Sequence, residues 1–379
     1  MGMRVAVVSE SFLPTVNGVT TSVLRVLEHL AARGHEATVI APAAGSPRSY
    51  AGFPVHEIPA LAYRQFPVGL PNTQVSGILA SFAPDILHVA SPFLLGAQAL
   101  AAGRRLGVPS VAVYQTDVSG YARRNRLAAA SPFAKRLVRW IHDGADLTLV
   151  PSSAAMSDLR AAAVPRLERW GRGVDLELYH PRRRSLPGTL DLRRRIAPDG
   201  ELVIGYVGRV APEKSLDRLA ELRGVAGVRV AVVGDGPAMP ALRRTLDGMP
   251  VEYLGELRGE DLATAYASLD IFVHTGTEET FGQTLQEAHA SGIPVIAPAA
   301  GGPLDLVEQG VDGLLYDAST DGALRSAVDA LVDAPTLRAR MGEAGRRRVL
   351  GRSWTTVCDE LLEHYARLIS RRAALVLAR

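Results

Sequence analysis

The feature that most constrains this chain is an alternation that runs twice along its length. In the first half, "MRVAVVS", "ATVIAP", "DILHVA", "SVAVYQT" and "DLTLVPS" are short Val/Ile/Leu/Ala runs separated by helical patterns. These runs lack polar alternation, as expected of parallel strands covered on both faces. Between the first two runs, Val19, Val23, Leu27 and Leu30 recur at helical spacing, and "ARGHE" closes that helix with Gly34. The second half restarts the pattern with "ELVIGYVG", "VRVAVVG", "VEYLG", "DIFVHT" and "IPVIAP". At 379 residues the chain is long for one core. The expected class is α/β, with two Rossmann-like doubly wound parallel-sheet domains facing a cleft. Ligands are expected off the C-terminal ends of the strands.

The segment "HPRRRSLPGTLDLRRRIAPDG", His180 to Gly200, is rich in Arg, Pro and Gly and reads as the junction. The expected domains are 1–180 and 181–353. The last helix, about 354–379, is a candidate to cross back onto the first domain.

Bulk composition narrows the field further. A net charge of +3 makes no case for a nucleic-acid partner, and none is expected. The single cysteine, Cys358, cannot form an internal disulfide or a Cys-based zinc site, and it fits a reducing compartment. The opening apolar run is a strand rather than a signal-peptide core. The stretch from Val89 to Gly103 is too short, and too broken by Pro92, to span a bilayer. A cytoplasmic protein is expected.

The stretch "ETFGQTLQEAH", Glu279 to His289, carries the chemistry of the second domain. Thr280 and Gln283 fit a capping box that starts a helix at about Phe281, and Gly292 ends it before Pro294. The first turn of such a helix offers free N–H groups and the positive end of the dipole to an anion. Gly282 would let a ligand approach that backbone closely. Gln283, Thr284 and Glu287 share a face, and the rise from Gly282 to Glu287 is roughly 7 Å. That offset suits a diphosphate followed by a ribose, with Glu279 on the other side for sugar hydroxyls. The plainer alternative is an amphipathic helix with two solvated glutamates.

A second stretch, "YVGRVAPEKSLD", leaves a strand at Gly208 and places Arg209 and Lys214 in one loop. A guanidinium fork and a compact ammonium are both suited to phosphate oxygens. Lys214 is one of only two lysines, the other being Lys135, which weighs against the plainer alternative of a solvated loop charge. "VVGDGP", containing Asp235, is a further tight turn, and "YLGEL", ending at Leu257, would bring backbone groups near a nucleobase.

Together, "GRVAPEK", "VVGDGP", "YLGEL" and "EETFGQTLQEAHASGIPVIAPAAGGPLDLV" resemble the retaining GT-B glycosyltransferases of family 4 over nearly the whole chain. The N-terminal "SESFLPTVNGVTTSVLRVLEHLAARGHEATVIAP" is similar to the GDP-mannose-dependent α-mannosyltransferases of actinobacterial glycolipid synthesis. The resemblance implies that Glu279 and Glu287 meet the Glu-x7-Glu pattern and that Arg209 and Lys214 hold a diphosphate. It also implies a nucleotide-sugar site drawn from Gly18, Gly208, Asp235, Leu257, Phe281, Gly282, Gln283 and Thr284.

In the first domain, Gly18 could let backbone N–H groups reach a diphosphate, and Glu10 is a candidate for the acceptor side. Many family members carry a His in the loop that here reads "VYQTDVSGYARR". The counterparts are Gln115, which cannot titrate but could bond a sugar hydroxyl, and Asp117, which could orient the acceptor. His88 reads as structural. A basic stretch follows, with Arg123, Arg124 and Arg126, then Lys135, Arg136 and Arg139 beside Phe133, Leu137, Trp140 and Ile141. It is either a peripheral contact to an anionic inner membrane face or a solvated helix packed by its apolar side.

No Asp-x-Asp metal motif occurs anywhere in the chain. No metal or other cofactor is therefore expected beyond the GDP- or UDP-linked donor, which is a co-substrate. Arg209, Lys214 and helix dipoles would stabilise the leaving diphosphate. The leading expectation is a retaining hexosyltransferase moving mannose from GDP-mannose to a glycolipid or other hydroxyl acceptor. Two alternatives stay open: another UDP- or GDP-hexose with a small soluble acceptor such as an aminocyclitol, and a nucleotide-sugar epimerase or hydrolase of the same fold. A nicotinamide dehydrogenase would need Gly-x-Gly-x-x-Gly after the first strand, and "SESFLPTVNGV" lacks that spacing.

Overall fold

A computed structural model of the chain describes residues 2–63, 66–69, 73–90, 92–115 and 131–377. The chain folds as two compact units, Met1–Arg172 with Trp354–Arg379, and Gly173–Ser353. The junction falls upstream of His180. Val174 bridges to Ser353, and Val174 and Tyr179 are buried in the second unit's core, so the segment before the Arg/Pro/Gly-rich stretch already belongs to that unit.

The first unit is built on a sheet of eight strands. Its central strands are β1 (Arg4–Ser9), β2 (Glu36–Pro42), β7 (Ile86–Ala90), β8 (Ser110–Val113) and β9 (Leu147–Val150), all parallel. In register, Val7 lies opposite Val39 on one side and His88 on the other. β3 (Ser49–Tyr50) and β4 (Phe53–Ile58) extend one edge and β10 (Leu167–Arg169) the other. β5 (Ala60–Tyr63) and β6 (Phe66–Gly69) form a separate antiparallel pair. β4 was not apparent in the sequence because Pro54 and Glu57 interrupt it, as suits a strand near an edge.

The helix Gly18–Ala32 buries Val23, Val26, Leu27 and Leu30 against the sheet, and Gly34 beyond its end takes the left-handed φ of +70°. Beside it lies the last helix, Trp354–Leu377, which contributes Val357, Leu361 and Tyr365 to the same core. Trp170 Nε1 donates to the Val357 carbonyl at 2.8 Å, and the Tyr365 hydroxyl meets His88 Nδ1 at 2.6 Å. Burial pushes His88 down to about 4, so it is a neutral core group.

The second unit has six parallel strands in the order β13-β12-β11-β14-β15-β16. They are β11 (Leu202–Val207), β12 (Val228–Val233), β13 (Val251–Gly255), β14 (Ile271–Val273), β15 (Val295–Pro298) and β16 (Gly313–Tyr316). The order reverses between β11 and β14. A reversal of this kind marks the C-terminal edge of the sheet as the place for a ligand crevice.

Candidate functional site

The loops after β11 and β14 flank that reversal, and they hold Arg209, Lys214 and Glu279. Backbone contacts that demand glycine fix the stretches carrying Arg209 and Glu279, and a side-chain hydroxyl fixes Lys214. Gly208 leaves β11 at φ +148°. A Cβ on Gly234 would lie 2.0 Å from the Gly208 carbonyl oxygen, and one on Gly236 would lie 2.3 Å from that of Val210. The "GDGP" turn thus packs directly against the loop that carries Arg209. Val210 N–H donates to the Asp235 carbonyl at 2.9 Å, and Asp235 Oδ1 accepts from Gly236 N–H at 2.7 Å. The Tyr206 hydroxyl, from inside the core, donates to the Arg209 carbonyl at 3.0 Å. The Arg209 side chain is 48% exposed and lies 3.9 Å from Glu213.

Lys214 closes a short 3-10 turn, Pro212–Lys214. The Thr275 hydroxyl donates to its carbonyl at 2.5 Å, which ties the loop after β11 to the loop after β14. Lys214 Nζ donates to Glu279 Oε2 at 2.6 Å, with the two side chains 24% and 18% exposed. Burial pushes the Glu279 carboxyl up, but the Lys214 ammonium and the His274 ring outweigh it and hold the group at about 2. Gly302 N–H donates to the Glu279 carbonyl at 2.7 Å, and a Cβ on Gly302 would lie 2.1 Å from the Phe281 carbonyl oxygen. Three glycine-dependent approaches therefore frame one carboxylate and two cations.

The helix after Glu279 differs from expectation. It runs Gln283–Ala290, with Gly282 as N-cap at φ +103° and no side-chain cap bond. The capping box between Thr280 and Gln283 does not form, because the left-handed Gly282 delays the helix. Gln283 instead donates from Nε2 to the Gly173 carbonyl at 3.0 Å. Glu287 is half-buried and accepts from the Tyr266 hydroxyl at 2.8 Å, while the Thr284 carbonyl accepts from the same hydroxyl at 3.3 Å. The Phe281 side chain is in the core and Leu257 packs against it, so Phe281 can reach a ligand only through its backbone. Asp235 is exposed.

In the first unit, Asn17 caps the helix Gly18–Ala32, its Oδ1 accepting from Val19 N–H and Thr20 N–H at 3.0 Å each. Gly18 is the first helical residue. Arg172 donates to the Gly18 carbonyl and, at 3.1 Å, to Gln115 Oε1. This arginine joins two of the sequence-predicted residues and was missed, because no local motif marks it. Glu10 accepts N–H groups of Phe93 at 2.8 Å and Gly96 at 2.9 Å, so it caps the helix Leu94–Leu106 instead of facing outward. Asp117, Arg123, Arg124, Arg126 and the Phe133 side chain lie outside the described residues. On the helix Ser131–Asp143, Lys135, Arg136 and Arg139 are exposed and Val138 and Ile141 buried, while Trp140 is 64% exposed among the basic groups.

Among the described residues, no group of three or more His, Cys, Asp and Glu could hold a metal ion. No helix among them is long and apolar enough to cross a membrane.

Known proteins share the family and the fold of this chain. The family model described as Glycosyltransferase Family 4 matches residues 16–178, and that described as Glycosyl transferases group 1 matches residues 190–348. A GDP-mannose-dependent alpha-mannosyltransferase of Mycolicibacterium smegmatis is 49% identical, over 98% of this chain and 99% of the relative. An enzyme of that name from Corynebacterium glutamicum is 42% identical, over 97% of this chain and 90% of its own length. The fold matches the Anabaena protein HepE in complex with UDP, with a TM-score of 0.79 at 20% identity, covering 97% of this chain and 100% of that one. The chain belongs to glycosyltransferase family 4, and it is an enzyme of the GT-B fold.

Proposed function

We propose that this enzyme transfers mannose from GDP-mannose, with retention of configuration, to a hydroxyl of a glycolipid. The observation that carries the donor half is the Lys214–Glu279 pair at 2.6 Å, standing where the strand order reverses and just before the helix that starts after Gly282. The names of relatives at 42–49% identity support the choice of GDP-mannose. In this reading the diphosphate sits on the backbone N–H groups following Gly282, and Lys214 and Arg209 supply positive charge. Glu279 orients the hydroxyls of the sugar, and Glu287 takes the ribose. No metal ion has a step in this scheme.

Transfer breaks the bond between the anomeric carbon and the β-phosphate oxygen. The acceptor oxygen forms its new bond on the same face, and its proton passes to the departing phosphate. Charge grows on that phosphate as the bond breaks, so the cations stabilise the transition state more than the ground state. On the first unit, Gln115, held by Arg172, and Asp117 are the candidates for orienting the acceptor. The helix Ser131–Asp143 supports a lipid acceptor, since its basic face with exposed Trp140 suits an anionic membrane surface.

The test is product analysis with GDP-mannose and acceptor mixtures, together with the Lys214→Ala variant. We expect mannosylated lipid of retained configuration, and a loss of about a hundredfold or more in kcat for the variant. Normal turnover by Lys214→Ala would overturn the assignment. Transfer only to a small soluble acceptor would move the acceptor reading to the aminocyclitol class. Donor consumption without transfer would support a hydrolase or epimerase.

A further inference from the structure

His274 immediately follows β14, and none of the roles above uses it. Its backbone is fixed twice, by N–H donation to the Ile296 carbonyl at 2.8 Å and by the Tyr316 hydroxyl on its own carbonyl at 3.3 Å. The ring is buried, and neither nitrogen has a hydrogen-bond partner of normal geometry. A core histidine usually finds such a partner, as His88 does in Tyr365. Instead, Nε2 of His274 lies 3.8 Å from Glu279 Oε2, the same oxygen that Lys214 holds at 2.6 Å.

One carboxylate oxygen thus has one engaged partner and one waiting just beyond hydrogen-bond reach. If the Lys214 ammonium turns to a diphosphate, Glu279 is left partly buried without its counter-ion, which is costly. An approach of under about 1 Å would let an Nε2–H of His274 replace the lost bond. We propose that His274 is a positioning residue: it becomes the hydrogen-bond partner of Glu279 when a nucleotide diphosphate draws Lys214 away, and so keeps the carboxylate aimed at the sugar. The inference rests on the reading that Lys214 grips the diphosphate.

The chemistry around the ring suits this exchange. The charged groups that bear on it are Glu279 and Lys214, and Gly276 contributes a backbone group nearby. Burial and the Lys214 charge hold the ring down to about 4, against the opposing pull of Glu279, so at neutral pH it is an uncharged donor. A neutral donor can stand beside Lys214 without repulsion, and it can bond a carboxylate without a proton from solvent.

The test is a double-mutant cycle read by calorimetric titration with GDP alone. His274→Leu should weaken GDP binding about tenfold, because displacement of Lys214 then strands Glu279. His274→Gln, which restores an N–H donor, should bind within about twofold of the parent. In a Glu279→Gln background there is no charge to strand, and His274→Leu should cost less than about twofold. A merely structural role would give equal losses in both backgrounds, and that result would overturn the proposal. So would wild-type GDP affinity in His274→Leu. Lys214→Met separates the two ideas: weakened GDP binding there with an inert His274 sinks only this inference. No effect of Lys214→Met sinks the diphosphate reading and this inference with it. Should His274→Leu fail to fold, the same cycle is run with His274→Asn, which is expected to place its amide short of Glu279 and bind GDP more weakly than His274→Gln.

Discussion

The Tyr266 hydroxyl donates to Oε2 of Glu287 at 2.8 Å, from a ring that has no solvent exposure. A helix surface alone would leave a glutamate at that position mobile. The buried phenol fixes the carboxylate, and burial, helped by the neighbouring Glu287 charge, raises the phenol's own pKa well above its usual value. The bond therefore always has the tyrosine as donor.

Tyr266→Phe removes that donor and little volume. Loss of one hydrogen bond to a charged group should cost about 1.5 kcal/mol of binding where the group must be held in place. We expect KM for the donor to rise about tenfold, with kcat within about twofold, since the ribose contact is equal in ground and transition states. Steady-state kinetics at saturating acceptor would check this. A fall in kcat with unchanged KM would place Glu287 in the chemistry rather than in nucleoside binding.

Two glycines with positive φ separate backbone strain from close packing. Gly224, at φ +75°, has nothing within 4 Å of its missing Cβ. Gly234, at φ +126°, would press a Cβ to 2.0 Å from the Gly208 carbonyl oxygen. Gly224→Ala should cost about 1 kcal/mol of unfolding free energy, and Gly234→Ala about 3 kcal/mol or more. The second variant should also lose activity, because the loop carrying Arg209 must move. Urea unfolding of the two variants, with turnover assayed under native conditions, tests both statements. Equal costs would mean that the turn yields and does not brace Arg209.

Glu10 gives a pH signature. Burial drives its carboxyl from 4.5 up to about 7, against the backbone N–H bonds that lower it. A folded pKa above the unfolded one means that the protonated form is favoured in the fold. The resulting stability is fully present below about pH 4.5 and is lost as pH rises towards 7. Glu10→Gln keeps an oxygen for Phe93 and Gly96 but cannot ionise. The stability of the variant relative to wild type should therefore increase across that window, by an amount of the order of 3 kcal/mol. Buried His88 and His142, both pushed down to about 4, titrate over an overlapping range in both proteins and cancel in the difference. A pH-independent difference in melting temperature would show that Glu10 stays ionised.

Much of this was legible in the sequence, for a physical reason. Strands buried on both faces must be apolar throughout, so β1, β2, β7, β8, β9, β11, β12, β14 and β15 all declare themselves, while the half-buried edge strand β13 is read from its Val, Tyr and Leu. β4, interrupted by Pro54 and Glu57, and the four-residue β16 do not. Glu279, Glu287, Arg209 and Lys214 stood out through spacing and the rarity of lysine. The start of the helix after Gly282 did not, since a capping box and a left-handed glycine compete and local pattern cannot rank them. Arg172 and His274 were silent because their meaning lies in distant partners. Arg172 finds Gly18 far back in the chain, and the unpartnered ring of His274 is visible only once the loop after β14 has folded over it.

The helix Ser131–Asp143 carries the last prediction. Val138 and Ile141 are buried and hold it to the first unit, so its opposite face is fixed outward. That face presents Lys135, Arg136, Arg139 and a Trp140 that is 64% exposed. A solvated helix has no use for an exposed indole among cations, whereas an interfacial helix inserts it at headgroup depth while its cations meet anionic lipid. Trp140→Ala should cut association with phosphatidylglycerol-containing vesicles by about tenfold, and the triple variant Lys135→Gln, Arg136→Gln, Arg139→Gln by at least as much. Raising salt from about 0.05 to about 0.5 M should release the wild type, because the attraction is screened within a few ångströms at the higher value. Hydrolysis or transfer assayed with a water-soluble acceptor should stay within about twofold in every variant, since none of these residues has a role in holding the donor. Vesicle sedimentation that is indifferent to both variants and to salt would mean that this face meets only water, and the lipid acceptor would then lose its structural support.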